Sequence, residues 1–160
     1  MNKFSLQQQV LKRLAEDLQQ AEDAVRVAHE TATHAENIAE NKYDTLGLEA
    51  AYLATGQVRR AEAIRQAMAK WRQFLPRPYD ASKGIQLGAL VCLVDSDDKQ
   101  QQLFLGPDGG SMQLGSGTQL VQVISMEAPL GRAMLGKCEG DDVSIQVAAI
   151  RQQFEVLRVH

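Results

Sequence analysis

Between Ser5 and Leu75 the chain carries no proline, and Leu11, Leu14, Leu18, Ala21, Val25, Ala28, Ala32, Ala35 and Ala39 follow one another at alternating intervals of three and four residues. That spacing keeps one stripe of a helix apolar for four heptads. A helix from about Ser5 to about Asn41 would run roughly 50 Å at 1.5 Å per residue, and it has to lay its stripe against something. A second stripe follows. After Asp44, Thr45 and Gly47, the residues Val58, Ala61, Ile64, Met68, Trp71 and Leu75 again fall three or four apart. The spacing therefore predicts an antiparallel two-helix coiled coil with its turn between Asn41 and Leu48. Self-assembly of the same seam between two chains is the competing arrangement. The turn end is lined with alanine and the base with Leu, Met and Trp, which concentrates buried area, and with it stability, at the base.

The run ends at Pro76-Arg77-Pro78-Tyr79-Asp80, where two prolines forbid an interior helical ladder. Composition changes there as well. Ser5 to Leu75 contains only Gly47 and Gly56, whereas Lys83 to Gly140 contains ten glycines and two prolines. We place the domain boundary in this break, giving a coiled-coil hairpin over 1–78 and a second domain over 79–160, compact from about Ser82. Its β-forming runs are 89–94, 102–105, 120–124, 143–147 and 154–159, separated by turn-rich segments such as Asp95-Ser96-Asp97-Asp98 and Gly106-Pro107-Asp108. Five strands in this arrangement predict a mostly antiparallel sheet. Pro129 to Leu135, opened by proline and closed by Gly136, predicts one short helix lying on it. The fold class expected is α+β.

Charge is distributed unevenly along the hairpin. Between Glu30 and Glu49, Glu30, Glu36, Glu40, Asp44 and Glu49 stand against Lys42 alone, a net of −4; between Arg59 and Arg77 six cations stand against Glu62, a net of +5. Solvated helix faces are ordinarily charged, so neither run needs a function by itself. On a long projection, however, this polarity carries acids outward and leaves a basic base able to dock on an acidic surface or a nucleic acid. The net charge of −3 over 160 residues argues against nonspecific duplex binding through the whole surface. No basic start precedes an apolar run at the N-terminus, no stretch approaches the roughly 20 apolar residues of a membrane span, and Cys92 and Cys138 make no disulfide framework. A cytoplasmic chain without a membrane partner is expected.

Catalytic signatures are missing from the sequence: there is no phosphate-binding loop, dinucleotide fingerprint, His-Glu-x-x-His site or serine elbow. His29 and His34 are five apart and do not stack on a helix, and His160 stands alone. Cys92 reads as strand filler, and Cys138 as a turn cysteine beside Lys137. Asp95, Asp97 and Asp98 lack the twelve-residue calcium-loop pattern. Trp71 and Tyr52 read as packing residues.

The segment from Ala128 to Val143, Ala-Pro-Leu-Gly-Arg-Ala-Met-Leu-Gly-Lys-Cys-Glu-Gly-Asp-Asp-Val, resembles the Ser-Pro-Leu-x-x-Ala-Leu-x-Gly-Lys-x-x-Gly-Asp signature of the bacterial transcript-cleavage factors, the Gre family. Ala128 replaces the serine and Met134 a leucine. Phe104-Leu105-Gly106-Pro107-Asp108 is similar to that family's strand-and-turn segment, and with the hairpin the resemblance covers essentially the whole chain in the family's order. It implies a coiled coil that enters the secondary channel of core RNA polymerase and an FKBP-like C-terminal domain that docks outside. The associated roles are regulation of transcription elongation, polymerase binding and DNA binding. A monomer is implied, contacting the nascent RNA 3′ end only through the polymerase.

In the family, acids at the hairpin tip help the polymerase's own Mg²⁺ site hydrolyse backtracked RNA, so no tightly bound cofactor is expected and the factor at most assists an intrinsic activity of its partner. The tip motif is close to Asp-x-x-Glu-Asn-x-x-Tyr. Here Glu40 and Asn41 match, Asn37 stands where the aspartate is expected, and Tyr43 comes one position early. The resemblance therefore names Glu40, with Asp44 as the replacement carboxylate, as the catalytic pair, and Glu36, Glu40 and Asp44 as the oxygen donors toward the metal; successive spacing of four puts them on one helical face. It names Pro129, Leu130, Arg132, Leu135, Gly136 and Lys137 as the docking surface. A polymerase-independent protein-interaction module is the alternative. A prolyl isomerase fits less well, because aromatics at 5% leave little to line a proline pocket.

Overall fold

The computed structural model describes residues 2–38, 46–108 and 112–160. Two long helices open the chain, α1 (Lys3–Ile38) and α2 (Leu46–Gln73). The expected turn residues 39–45 lie outside the described residues. Six strands follow: β1 (Leu90–Asp95), β2 (Gln100–Gly106), β3 (Met112–Leu114), β4 (Val121–Ser125), β5 (Asp142–Val147) and β6 (Ile150–Val159). A single helical turn of 3-10 type (Gly117–Gln119) precedes β4, and a short helix α3 (Pro129–Met134) follows it. None of the described helices is long and apolar enough to cross a membrane.

The chain forms two compact units, Met1–Val10 with Lys70–His160, and Leu11–Ala69. The proline break at 76–80, where composition sets a boundary, lies inside the first of them. In the second unit the helices bury Leu14, Ala21 and Ala28 at intervals of seven on α1, and Ala54, Ala61 and Met68 at intervals of seven on α2. Alanine at these positions allows close approach. Arg65 reaches across from α2 to Glu22 of α1 at 2.8 Å. Of the seam expected on α2, Ala61, Met68 and Trp71 are buried, whereas Val58 is exposed, as is Tyr52, and Ala54 takes the buried position nearer the turn.

In the first unit the strands make one sheet in the order β3-β4-β2-β1-β6-β5. The pairings are antiparallel except for β2 with β4, which is parallel. The sheet is therefore mixed, and the reason is β3, which leaves β2, forms the edge and turns back on β4, so that β4 enters the gap beside β2 in the same direction. β1 is buried almost throughout because both faces of the sheet are covered. On one face Val91, Leu93, Leu103, Leu105, Val143 and Val156 form a core with Ile85 and Met134, against which Leu130 and Ala133 of α3 pack. On the other face Phe104 meets Trp71 and Phe74, with ring centroids 5.8 and 6.4 Å away. Leu6 and Val10, also within this unit, are fully buried.

Candidate functional site

The segment that carries the family resemblance folds as a helix and a stiff loop on the sheet. Proline at the first helical position costs no hydrogen bond there, and the Arg132 N–H donates to the Ala128 carbonyl at 2.9 Å. Spacing then decides what each residue does. Leu130, Ala133 and Met134 face the core, whereas Pro129, Arg132, Leu135 and Gly136 are exposed. The helix stops because Gly136 adopts φ +80°, a conformation that suits glycine. Its N–H donates to the Ile85 carbonyl at 2.8 Å, and the Lys137 carbonyl accepts from the Ile85 N–H at 2.8 Å. The named docking residues thus divide into an outward set around Arg132 and Leu135, a half-buried Lys137, and Leu130, which anchors the helix.

Beyond Gly136 the loop is fastened by its own side chains. The Cys138 N–H donates to Asp141 Oδ2 at 2.8 Å, and Glu139 Oε1 accepts from the Val159 N–H at 3.0 Å. Cys138 Sγ donates to the Ala81 carbonyl at 3.5 Å. The Tyr79 hydroxyl lies in the same cluster; its hydrogen bond with Cys138 and then burial push its pKa above the ordinary phenol value. These contacts hold the exposed face of α3 in fixed relation to the end of β6, which is what a preformed docking surface needs.

Glu40 and Asp44 lie outside the described residues, and Glu36 belongs to α1 with its side chain likewise outside them. Among the described residues no group of three or more His, Cys, Asp or Glu side chains is placed to hold a metal ion. His29, His34 and His160 are exposed, and Cys92 is buried. Asp95 is spent in its own turn, its Oδ1 accepting from the N–H groups of Asp97 and Lys99 at 2.8 and 2.9 Å.

Two polar anchors at the base of the helices escape a periodicity argument. Gln7, buried between Leu6 and Val10, donates through Nε2 to the carbonyls of Trp71 at 2.6 Å and Phe74 at 2.9 Å. These carbonyls belong to the last turn of α2 and the residue just after it, where intrahelical donors run out. Lys70 pairs with Asp108 at 2.9 Å, while Trp71 Nε1 donates to the Asp108 carbonyl at 2.7 Å. The hydrogen bond with Asp108 and its charge raise the Lys70 pKa above the usual lysine value. A lone glutamine between apolar positions carries no signal of such a role in sequence.

Comparison with known proteins places this arrangement. A family model described as "Transcription elongation factor, GreA/GreB, C-term" matches residues 80–160. The transcription elongation factor GreA of Desulfovibrio desulfuricans is 38% identical over 74 residues, 45% of this chain and 41% of that protein. GreA of Desulfotalea psychrophila is 33% identical over 79 residues, 48% of this chain and 45% of that one. The chain thus spans about half the length of the curated relatives it matches. Among solved structures, the GreA factor homolog 1 (Gfh1) protein of Thermus thermophilus is 21% identical, with 94% of each chain covered and a TM-score of 0.39.

Proposed function

The chain belongs to the GreA/GreB family of transcription elongation factors, and from that membership we propose that it binds core RNA polymerase and regulates elongation by inserting its helical hairpin into the secondary channel. The observation that carries this reading is the family match across 80–160, the region that contains α3 and its loop. In this reading that region is an FKBP-like domain docking outside the channel through Arg132, Leu135 and their exposed neighbours. Helix α1, at 36 residues and 1.5 Å per residue roughly 54 Å long, has the reach that insertion requires.

Chemistry in this reading belongs to the tip. The polymerase's own Mg²⁺ supplies Lewis-acid activation for hydrolysis of backtracked RNA. Glu40 and Asp44 contribute carboxylate oxygens that draw a hard cation and orient water, with Glu36 one turn behind them. Asn37 retains an oxygen without the charge, so the burden falls on Asp44. Repulsion among three acids on one face weakens the local helix, a cost relieved when a cation or a basic surface meets them.

The test is RNA cleavage by stalled, backtracked polymerase with Mg²⁺, comparing wild type with Glu40→Ala and Asp44→Ala. Faster cleavage with wild type, lost in either variant while binding persists, supports the assignment. Binding without acceleration overturns the assisting role of the tip and leaves channel occupancy as the regulatory act.

A further inference from the structure

Two adjoining concavities of about 510 and 690 Å³ are formed wholly within the unit that contains the sheet. Both are lined by Lys3, Leu75, Arg77, Pro78, Tyr79 and His160, so they read as one groove along the extended segment that follows α2. The segment is extended because Pro76 and Pro78 rule out further helix. Two large apolar side chains that line the groove are exposed, Phe4 by 62% and Leu75 by 74%. Side chains of this size seldom sit side by side in water without a partner.

The rim is cationic although the whole chain carries a net charge of −3. Lys3, Arg77 and Lys83 line the groove against one acidic side chain, Asp80, among the described residues. Lys3 Nζ donates to a neutral group, the Arg77 carbonyl, at 2.6 Å, and its charge is not cancelled there. Asp80 is already engaged: Oδ1 accepts from the Ser82 N–H at 3.0 Å and the Ser82 hydroxyl at 2.6 Å, and Oδ2 stands 3.8 Å from Lys83. An incoming group therefore meets apolar walls edged with positive charge.

We propose that this groove captures a short acidic segment of a partner protein, with a bulky apolar side chain seated against Phe4 and Leu75 and flanking carboxylates paired with Arg77 and Lys83. A nucleic-acid track would set its cations along a strip with aromatic faces open for stacking. Here the Phe74 ring is engaged with Trp71 and Phe104 and the Tyr79 hydroxyl is turned to Cys138, so that of the phenyl and phenol rings lining the groove Phe4 alone is left open, beside Leu75, Pro76 and Pro78, too little to stack successive bases. The inference stands apart from the polymerase reading, since it rests on the groove alone.

The experiment selects a random dodecapeptide library displayed on phage against the full chain, then measures the consensus peptide against wild type, Arg77→Glu and the double variant Leu75→Ser with Arg77→Glu. Both variants alter exposed side chains, and an unchanged thermal melt of Arg77→Glu alone suffices to read the result. The expected outcome is enrichment of leucine or phenylalanine flanked by Asp and Glu, binding weakened about tenfold or more by Arg77→Glu, affinity falling with added salt, and amide shifts at Leu75 and Lys83. Enrichment of basic or uncharged peptides, or equal binding to the variants, overturns the proposal. So does a uridine oligonucleotide that displaces the peptide and shifts the same amides more strongly, which assigns the groove to nucleic acid. Concentration-dependent dimerisation abolished by the double variant would instead assign it to a second copy of the chain.

Discussion

The indole of Trp71 occupies the space that a Cβ on Gly106 would need. Trp71 is 1% exposed, its ring centroid lies 5.2 Å from that of Phe74, and its Nε1 is tied to the Asp108 carbonyl, so it has nowhere to retreat. Gly106→Ala should therefore destabilise the sheet-containing unit by about 1–3 kcal/mol, the usual cost of overpacking, and Trp71→Ala by about 3–5 kcal/mol. Trp71 is the chain's single tryptophan, so urea unfolding followed by its fluorescence reads Gly106→Ala directly, and circular dichroism reads Trp71→Ala.

Gln7 makes a second prediction. Replacing it by methionine keeps the volume but strips the carbonyls of Trp71 and Phe74 of their donor. A buried acceptor left unpaired costs about 1–3 kcal/mol, and the urea midpoint should fall accordingly. An unchanged midpoint would show that water replaces the amide.

Within the helical unit, Gln57 Oε1 is buried without a hydrogen-bond partner among the described residues. Gln57→Leu should raise the stability of the helix pair by about 1 kcal/mol by removing that unpaired acceptor. Thermal unfolding monitored by far-UV circular dichroism checks it; a loss of stability would mean that the amide fixes the register of the pair, as single polar seam residues do elsewhere.

Asp80 supplies a pH prediction. Hydrogen bonds from the Ser82 hydroxyl and then the Ser82 N–H, together with Lys83, hold its pKa below the ordinary carboxylate value. Because the folded value is the lower one, the associated stability is present above the unfolded carboxylate pKa and is lost as pH falls through the folded value. Ser82→Ala should move the Asp80 titration upward toward normal, measured by carboxyl carbon NMR, and leave stability at neutral pH less dependent on this group.

Much of this architecture was legible in the sequence, and the failures have physical causes. Proline-free heptads fixed both helices, and Pro76 ended the second because a missing N–H is decisive at short range. Seam assignments failed where hydrophobicity was taken for burial: Val58 and Leu75 are exposed, whereas Ala54, a weaker apolar signal, is buried. β3 was missed because three residues beside a glycine-rich turn show no alternation, and without it the parallel β2–β4 pairing could not be foreseen. On α3 the resemblance named Pro129, Leu130, Arg132 and Leu135 alike as contact residues, and only the packed core separates Leu130, an anchor, from its exposed neighbours. The groove beside Arg77 was illegible because Lys3, Leu75 and Lys83 come together only through the fold.

The central claim, that this chain binds core RNA polymerase, is tested most directly by titrating labelled full-length chain with purified core enzyme and following fluorescence anisotropy. The account predicts saturable binding that Arg132→Glu combined with Leu135→Ser weakens about tenfold or more without altering the thermal melt. Absence of saturable binding by the wild-type chain would contradict it.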